Sequence, residues 1–510
     1  MNRLPHDRSR RRFLKRATLA GAALACPSVL LADPYRPLPS PPGRAVPVRV
    51  RGRVASGGRG LAGVAVTDGV TLAATDAEGA FELIADGRRP FVYLSMPAGY
   101  AVPRNPTGTA RFYAPMRPDG GGEMQAVFDL EPLATSDEHH AFFVLADPQT
   151  EDGFEMSRFH AETVPDVRAT AAALGETPVF GLTCGDIMYD HLDLYPEYER
   201  AVAAMGLPFF QVIGNHDLDL DGMTDEASAH TFAAHFGPTH YSFDRGAVHY
   251  VVLDDVFWHA AGYLGYLGAD QLAWLAQDLA RIEPGRTVVV FTHIPALSTR
   301  FRRAGGDTPP IVASITNREA LYRLLEPFDA HIISGHTHEN EHVFEHGTHE
   351  HVCGTVCGAW WSGDICYDGT PNGYAVFEAR GEELRWRYKS TGRDADHQMR
   401  VYARGADPKA PDEIVANVWD WDPAWTVVWY ENGERKGEMA RRTGTDPLSE
   451  RLHRGPDRPE HRPWVEPVPV EHLFYAPVAP DAADIRVEAT DRFGRTYTAS
   501  PEPPEPPADE

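Results

Sequence analysis

Cysteine is scarce, with five in 510 residues. That is too few for a disulfide-built scaffold in a chain this long. A zinc knuckle needs a second cysteine pair that the chain does not have. Cys26 lies in the leader, so Cys184, Cys353, Cys357 and Cys366 are expected as buried thiols or as one local bridge among the last three. Positive charge is also thin: Lys+Arg is 48 against Asp+Glu 73, a net charge of −25. Seven of those positives (Arg3, Arg8, Arg10, Arg11, Arg12, Lys15 and Arg16) fall in the first 32 residues beside a single acid, Asp7. The remainder is therefore more acidic still and repels phosphate backbones, which argues against nucleic acid as a partner. Long apolar runs are nearly missing. The one extended run, residues 17–32, is short for a bilayer span, so no transmembrane span is expected in the mature chain. No Gly-x-Ser-x-Gly elbow is evident, which disfavours covalent serine chemistry.

What the chain does contain is ordinary for folded protein: 43% hydrophobic and 24% charged residues. Its length exceeds one core and implies several domains. The N-terminus has a basic head before a short Ala/Leu-rich segment, the pattern of an export signal. Ser9-Arg10-Arg11-Arg12-Phe13-Leu14-Lys15 resembles the twin-arginine signal of bacteria. Residues 1–32 are read as that signal, which implies a periplasmic or secreted protein; lipid anchoring at Cys26 is the lesser reading. Residues 33–45 form a proline-rich linker.

From 46 to 134, short alternating runs such as Val48-Arg49-Val50-Arg51 and Gly79-Ala80-Phe81-Glu82-Leu83 predict a small β-sandwich. It resembles the sandwiches that accompany many secreted hydrolases. From 138 to 390, continuous apolar runs (141–146, 179–183, 209–213, 288–291) alternate with amphipathic stretches (157–174, 194–205, 269–282, 317–325). Strands buried on both faces with helices covering them are the signature of an α/β sheet. From 391 to 500 aromatic alternation returns and predicts a second β-sandwich; residues 501–510 are an acidic proline tail expected to be disordered.

Within the α/β region a polar cluster follows each buried strand: Asp147-Pro148-Gln149, Gly185-Asp186, Gly214-Asn215-His216-Asp217, Thr292-His293 and Gly335-His336-Thr337-His338. Strand carboxyl ends are where open α/β sheets bind ligands. Carboxylates, carboxamides and imidazoles together suit first-row metal ions.

Over residues 146–378 these motifs, in this order, resemble the calcineurin-like metallophosphoesterases. The resemblance implies an α/β fold with a central β-sandwich flanked by helices (αββα) and, here, all-β sandwich domains on both sides. It implies two divalent or trivalent ions (Mn, Fe or Zn, identity open), one held by Asp147, Gln149, Asp186 and His338, the other by Asp186, Asn215, His293 and His336. His216 would face the substrate, oriented by Asp190 or Asp217. Such a pair, about 3.5–4 Å apart, activates water for in-line attack on a phosphate ester. Two departures from the family pattern stand out. Gln149 replaces a histidine, and Tyr189 replaces an aspartate that orients the histidine. In the purple acid phosphatase branch a tyrosine at that spacing ligates iron, so Tyr189 is a possible ligand as well as a packing residue.

Smaller signals have plain readings. The stretch Glu341-His342, Glu345-His346, His349-Glu350-His351 is read as a polar strand pair exposing alternate residues, with an extra metal site or substrate contacts at the rim as the competing reading. His235, His240 and His249 are read as packing or surface residues. Trp360-Trp361 either lines the pocket or packs the core. Arg300, Arg302 and Arg303 are placed in a solvated loop, with substrate anion binding as the alternative. The expectation is an exported phosphoesterase acting on a small phosphate ester, a lipid head group or an envelope glycan phosphate. The competing readings are a purple-acid-type monoesterase and a non-catalytic binding module with a degenerate metal site.

Overall fold

A computed structural model describes residues 46–456 and 458–502; the leader, the linker and residues 503–510 of the acidic tail lie outside the described residues. Alternation in the first strand, Pro47–Ser56, puts Val48, Val50 and Val54 inside and the arginines between them outside. It pairs antiparallel with Ala80–Asp86 and parallel with Glu123–Asp129. A second four-stranded sheet, from Ala65–Thr67, Leu72–Ala74, Phe91–Leu94 and Tyr113–Pro115, completes the N-terminal sandwich.

The central region holds two sheets face to face. One has five strands in the order Phe209–Val212, Val179–Cys184, His139–Leu145, Gly373–Arg380 and Glu383–Ser390, the first three parallel. The other has six, in the order Tyr241–Arg245, Val248–Val252, Thr287–Phe291, Asp329–Ser334, Thr348–Val352 and Glu341–Glu345. Its four middle strands are parallel. Helices Val164–Ala173 and Tyr195–Met205 cover the outer face of the first sheet, and Ala269–Leu279 and Arg318–Leu325 that of the second. The architecture is therefore αββα.

Between the sheets lies an aromatic core. Phe142 stacks on Phe377 at 4.7 Å and on Phe180 at 5.2 Å, with Phe210, Tyr250 and Phe291 around them. Each such ring contributes about 1.5–3 kcal/mol by leaving water. Phe112 of the N-terminal sandwich reaches this core at Tyr241, 4.6 Å away. The C-terminal sandwich joins through Phe493 against Trp386 at 4.8 Å. Its two sheets contain Arg400–Tyr402, Glu413–Asn417, Val470–Pro477 and Ala440–Gly444, and Glu434–Glu438, Thr426–Glu431, Ile485–Thr490 and Thr496–Ala499.

The helix expected over 157–174 begins earlier, at Gly153, with Asp152 accepting from the Phe154 and Glu155 N–H groups. A π-turn, Phe159–Thr163, interrupts it before Val164–Ala173. The cause is Pro165, which lacks an N–H and crowds the preceding turn; a wider turn relieves that conflict. The loop placed at 300–303 is a short helix, Arg300–Arg303, and Arg303 is buried in ion pairs with Glu339 and Glu341 rather than solvated. No helix among the described residues is long and apolar enough to cross a membrane.

Candidate metal centre

The parallel strands all point their carboxyl ends to one rim, and the polar clusters follow there. Asp147, Asp186 and His336 each sit two residues past a strand, and each is forced into the left-handed region with φ of 45°, 45° and 69°. Gln149, His338 and Asp190 share that conformation, at 39°, 54° and 62°. Each such non-glycine residue costs about 1–3 kcal/mol, a strain that concentrates at functional sites. Glycines beside them permit the close approach. A Cβ on Gly214 would meet the Asp186 amide nitrogen at 2.0 Å, and one on Gly335 would meet Asp147 Oδ2 at 2.4 Å.

Hydrogen bonds to backbone carbonyls fix which imidazole nitrogen carries the proton. His293 Nδ1 donates to Cys184 O (3.0 Å), His336 Nε2 to Val312 O (2.8 Å) and His338 Nδ1 to Gly358 O (2.7 Å). The other nitrogens therefore present lone pairs. His293 Nε2 lies 3.2 Å from Asp186 Oδ1, 3.2 Å from Asn215 Oδ1 and 3.2 Å from His336 Nδ1. His338 Nε2 faces Asp147 Oδ1 at 3.6 Å. Acceptors that converge on acceptors repel one another unless a cation sits among them. This donor set, nitrogen and oxygen without thiolate, fits first-row divalent or trivalent ions.

The electrostatics agree. Burial pushes the Asp147 carboxyl up to about 8, and lowers His336 to about 3 and His338 to about 4, so both rings are neutral, the ligand form. Burial works against a charged His293, yet the neighbouring Asp186 carboxylate carries it up to about 10, so that a proton competes with a cation for the one Nε2 lone pair. Asp186, though buried, is held below the usual carboxylate range by His293, His216 and His336. The centre demands positive charge.

Gln149 donates Nε2–H to Asp186 Oδ2 at 2.9 Å and turns Oε1 toward Cys357 Sγ, 4.0 Å away. In this orientation it supports the carboxylate instead of offering oxygen to a cation. His216 donates its backbone N–H to Asp186 Oδ1 (2.8 Å) and places Nδ1 2.8 Å from Asp190 Oδ1. Asp217 does a different job from the orienting role considered for it. It is buried and accepts the N–H groups of Gly214, Ile187 and Met188 and the Tyr195 hydroxyl, so it shapes the loops. The Tyr189 ring stacks on His216 at 4.3 Å, and Arg462 lies 4.9 Å over the same ring.

Trp361 is buried and donates to Pro148 O (2.9 Å), while Trp360 stacks on His338 at 4.1 Å with Trp464 beside it at 4.7 Å. Among the described residues the four cysteines, Cys184, Cys353, Cys357 and Cys366, are buried thiols. Arg462, Trp464 and Asp255, whose Oδ1 accepts the His293 N–H at 2.9 Å, were not marked by any sequence motif. The histidines of 349–351 depart from the expected pattern: the strand pair forms, but His349, Glu350 and His351 are all buried.

The four-layered fold and the donor set on its rim are those of a metal-dependent phosphoesterase. Family models match nearly the whole described chain: "N terminal of Calcineurin-like phosphoesterase" over residues 48–133, "Calcineurin-like phosphoesterase" over 133–340 and "C terminal of Calcineurin-like phosphoesterase" over 350–497. The chain belongs to the calcineurin-like phosphoesterase family. It is similar to the serine/threonine-protein phosphatase CPPED1 of Mus musculus (27% identity over 177 residues) and of Homo sapiens (25% over 229 residues). Those alignments cover 33% and 42% of this chain, and 55% and 69% of the relatives. Among solved structures, a dimetal phosphatase from Danio rerio aligns with a TM-score of 0.35 at 14% identity, covering 49% of this chain and 96% of that one.

Proposed function

We propose that this chain is an exported, dinuclear-metal phosphoesterase that uses water to hydrolyse a small phosphate ester outside the cytoplasm. The observation that carries the reading is the convergence of His336, Asn215 and Asp186 acceptor atoms within 3.2 Å of His293 Nε2, beside the His216–Asp190 pair. Asp147, Asp186, Asn215, His293, His336 and His338 would hold the ions, with Gln149 supporting Asp186. The chemistry that bound ions supply is Lewis acidity, which makes a water nucleophilic near neutral pH and neutralises phosphoryl charge.

The protein's own part follows from its contacts. Asp190 keeps the proton on His216 Nδ1 and stabilises the ring when it is charged, so that Nε2 can give a proton to the departing oxygen. The half-buried Trp360, with Trp464, offers an aromatic wall for an organic leaving group. Arg303 is already committed to Glu339 and Glu341, which leaves it a structural part in this reading. The stacking of Tyr189 on His216 favours a positioning part for the tyrosine over iron ligation. The twin-arginine-like leader supports export to the periplasm or beyond. Net acidity supports a small ester, a lipid head group or a glycan phosphate over a polyanion.

The test is hydrolysis of a nitrophenyl phosphodiester and the matching monoester by protein loaded separately with manganese, iron and zinc. Replacing Arg10 and Arg11 with lysine, followed by fractionation of the host cell, tests export. Processed protein outside the cytoplasm is expected only for the unaltered leader.

A further inference from the structure

A second cluster of histidines lies away from the rim, toward the amino ends of the parallel strands. His331, His349 and His342 come from three adjacent strands of the six-stranded sheet. The register sets His331 opposite His349, and His342 opposite His351. His349 and His351, two apart, share one face of their strand. That face looks into the space between the sheets, where His351 packs 5.3 Å from Phe377 and 4.6 Å from Trp386 of the other sheet. His331, His349 and His351 are 8%, 7% and 3% exposed, and each can offer one nitrogen within 4.8 Å of the other two.

A hydrophobic core has no use for four imidazoles unless something satisfies them. His331 Nδ1 and His351 Nε2 lie 3.0 Å apart, as do His342 Nδ1 and His349 Nε2. Even so, His351 Nδ1 and Asp420 Oδ2 are buried without a hydrogen-bond partner. Asp420 Oδ1 holds His342 Nε2 at 3.1 Å, the carboxylate–imidazole pairing that commonly orients a ligand histidine and fixes its lone pair on the other nitrogen. A cavity of about 480 Å³ bordered by His331, His349 and Trp386 gives access. Arg492, the cation on that border, is paired with Asp422 at 2.7 Å.

We propose that His331, His349 and His351, with His342 oriented by Asp420, form a separate transition-metal site that is not part of the candidate catalytic centre. An all-imidazole set selects zinc, copper or nickel over manganese or magnesium, unlike the oxygen-rich rim. Burial holds His331, His349 and His351 below the ordinary imidazole value, His331 at about 4. The site bridges the catalytic sheets and the C-terminal sandwich, because Asp420 belongs to the latter. Its part is to clamp the two together.

The experiment uses the full chain with Asp186→Asn and His293→Ala, which weakens the rim centre. Equilibrium dialysis against zinc followed by elemental analysis is expected to leave one zinc per folded chain. Adding His349→Phe or His351→Phe is expected to remove it, with circular dichroism reporting that the fold persists. X-ray absorption at the zinc edge of that double variant needs no further substitution, and is expected to show three or four imidazole nitrogens at about 2.0–2.1 Å. A folded double variant without zinc, zinc that survives both phenylalanine changes, or an oxygen-dominated shell would each overturn the proposal.

Discussion

His216 Nδ1 stands 2.8 Å from Asp190 Oδ1, while the same histidine's backbone N–H donates to Asp186 Oδ1 at 2.8 Å. One residue thus ties the candidate proton donor to the carboxylate at the centre of the metal-binding cluster. The positioning is double: main chain to Asp186, side chain to Asp190.

That arrangement predicts that His216→Ala lowers kcat by about 10²–10⁴ with little change in KM, the usual contribution of one general acid. Asp190→Asn keeps the hydrogen bond but loses the charge, so a smaller loss is expected. Steady-state kinetics on the better of the two nitrophenyl esters would show it. Equal losses in both variants would mean that Asp190 does more than orient the ring.

Tyr189 stacks on His216 through its ring, at 4.3 Å. Tyr189→Phe should therefore keep most of the activity, and Tyr189→Ala should lose about tenfold or more as the imidazole loosens. An iron-loaded protein with a visible absorption band that disappears in Tyr189→Phe would instead make the hydroxyl a ligand.

Gly214 has no room for a side chain, since a Cβ would lie 2.0 Å from the backbone nitrogen of Asp186. Backbone cannot swing aside as a side chain can. Gly214→Ala should cost about 1–3 kcal/mol of stability and displace Asp186, so metal content by elemental analysis should fall together with the melting temperature. A variant with wild-type metal content would show that the loop relaxes freely.

His249 is buried between Asp244 Oδ1 and Asp278 Oδ2, each 2.9 Å away. Burial alone would lower its pKa; the Asp278 charge and the Asp244 hydrogen bond more than reverse this and carry it up to about 9. The folded value exceeds the unfolded one of about 6.5. The stabilisation is therefore fully present below pH 6.5 and is lost as pH rises toward 9, roughly 3 kcal/mol in all. Melting temperatures of the wild type should fall over that window, and His249→Gln should flatten the fall. Parallel curves for the two proteins would remove the ion pair from the account.

The rim was legible in the sequence because chemistry there follows buried strands at short, fixed offsets: Asp147 after 141–146, Asp186 after 179–183, His293 after 288–291. The sandwiches announced themselves by alternation, as in Val48 and Val50. What the sequence could not show is what fixes the rings. Cys184 O, Val312 O and Gly358 O are backbone atoms that any residue supplies. Arg462 and Trp464 reach the rim from a segment far along the chain, in no motif. His349 and His351 alternate as a solvent-facing strand would, but period two says only that they share a face. Whether that face meets water or another sheet is decided by tertiary packing, here by Phe377 and Trp386.

The central claim is that the rim is a metal centre that hydrolyses phosphate esters. Metal-free protein titrated with manganese, while turnover of a nitrophenyl phosphate ester is followed, tests it most directly, with Asp186→Asn alongside. Turnover that is absent without metal, rises with occupancy and never appears in Asp186→Asn is the predicted result. Turnover in the presence of excess chelator, or wild-type turnover in Asp186→Asn, would contradict the account.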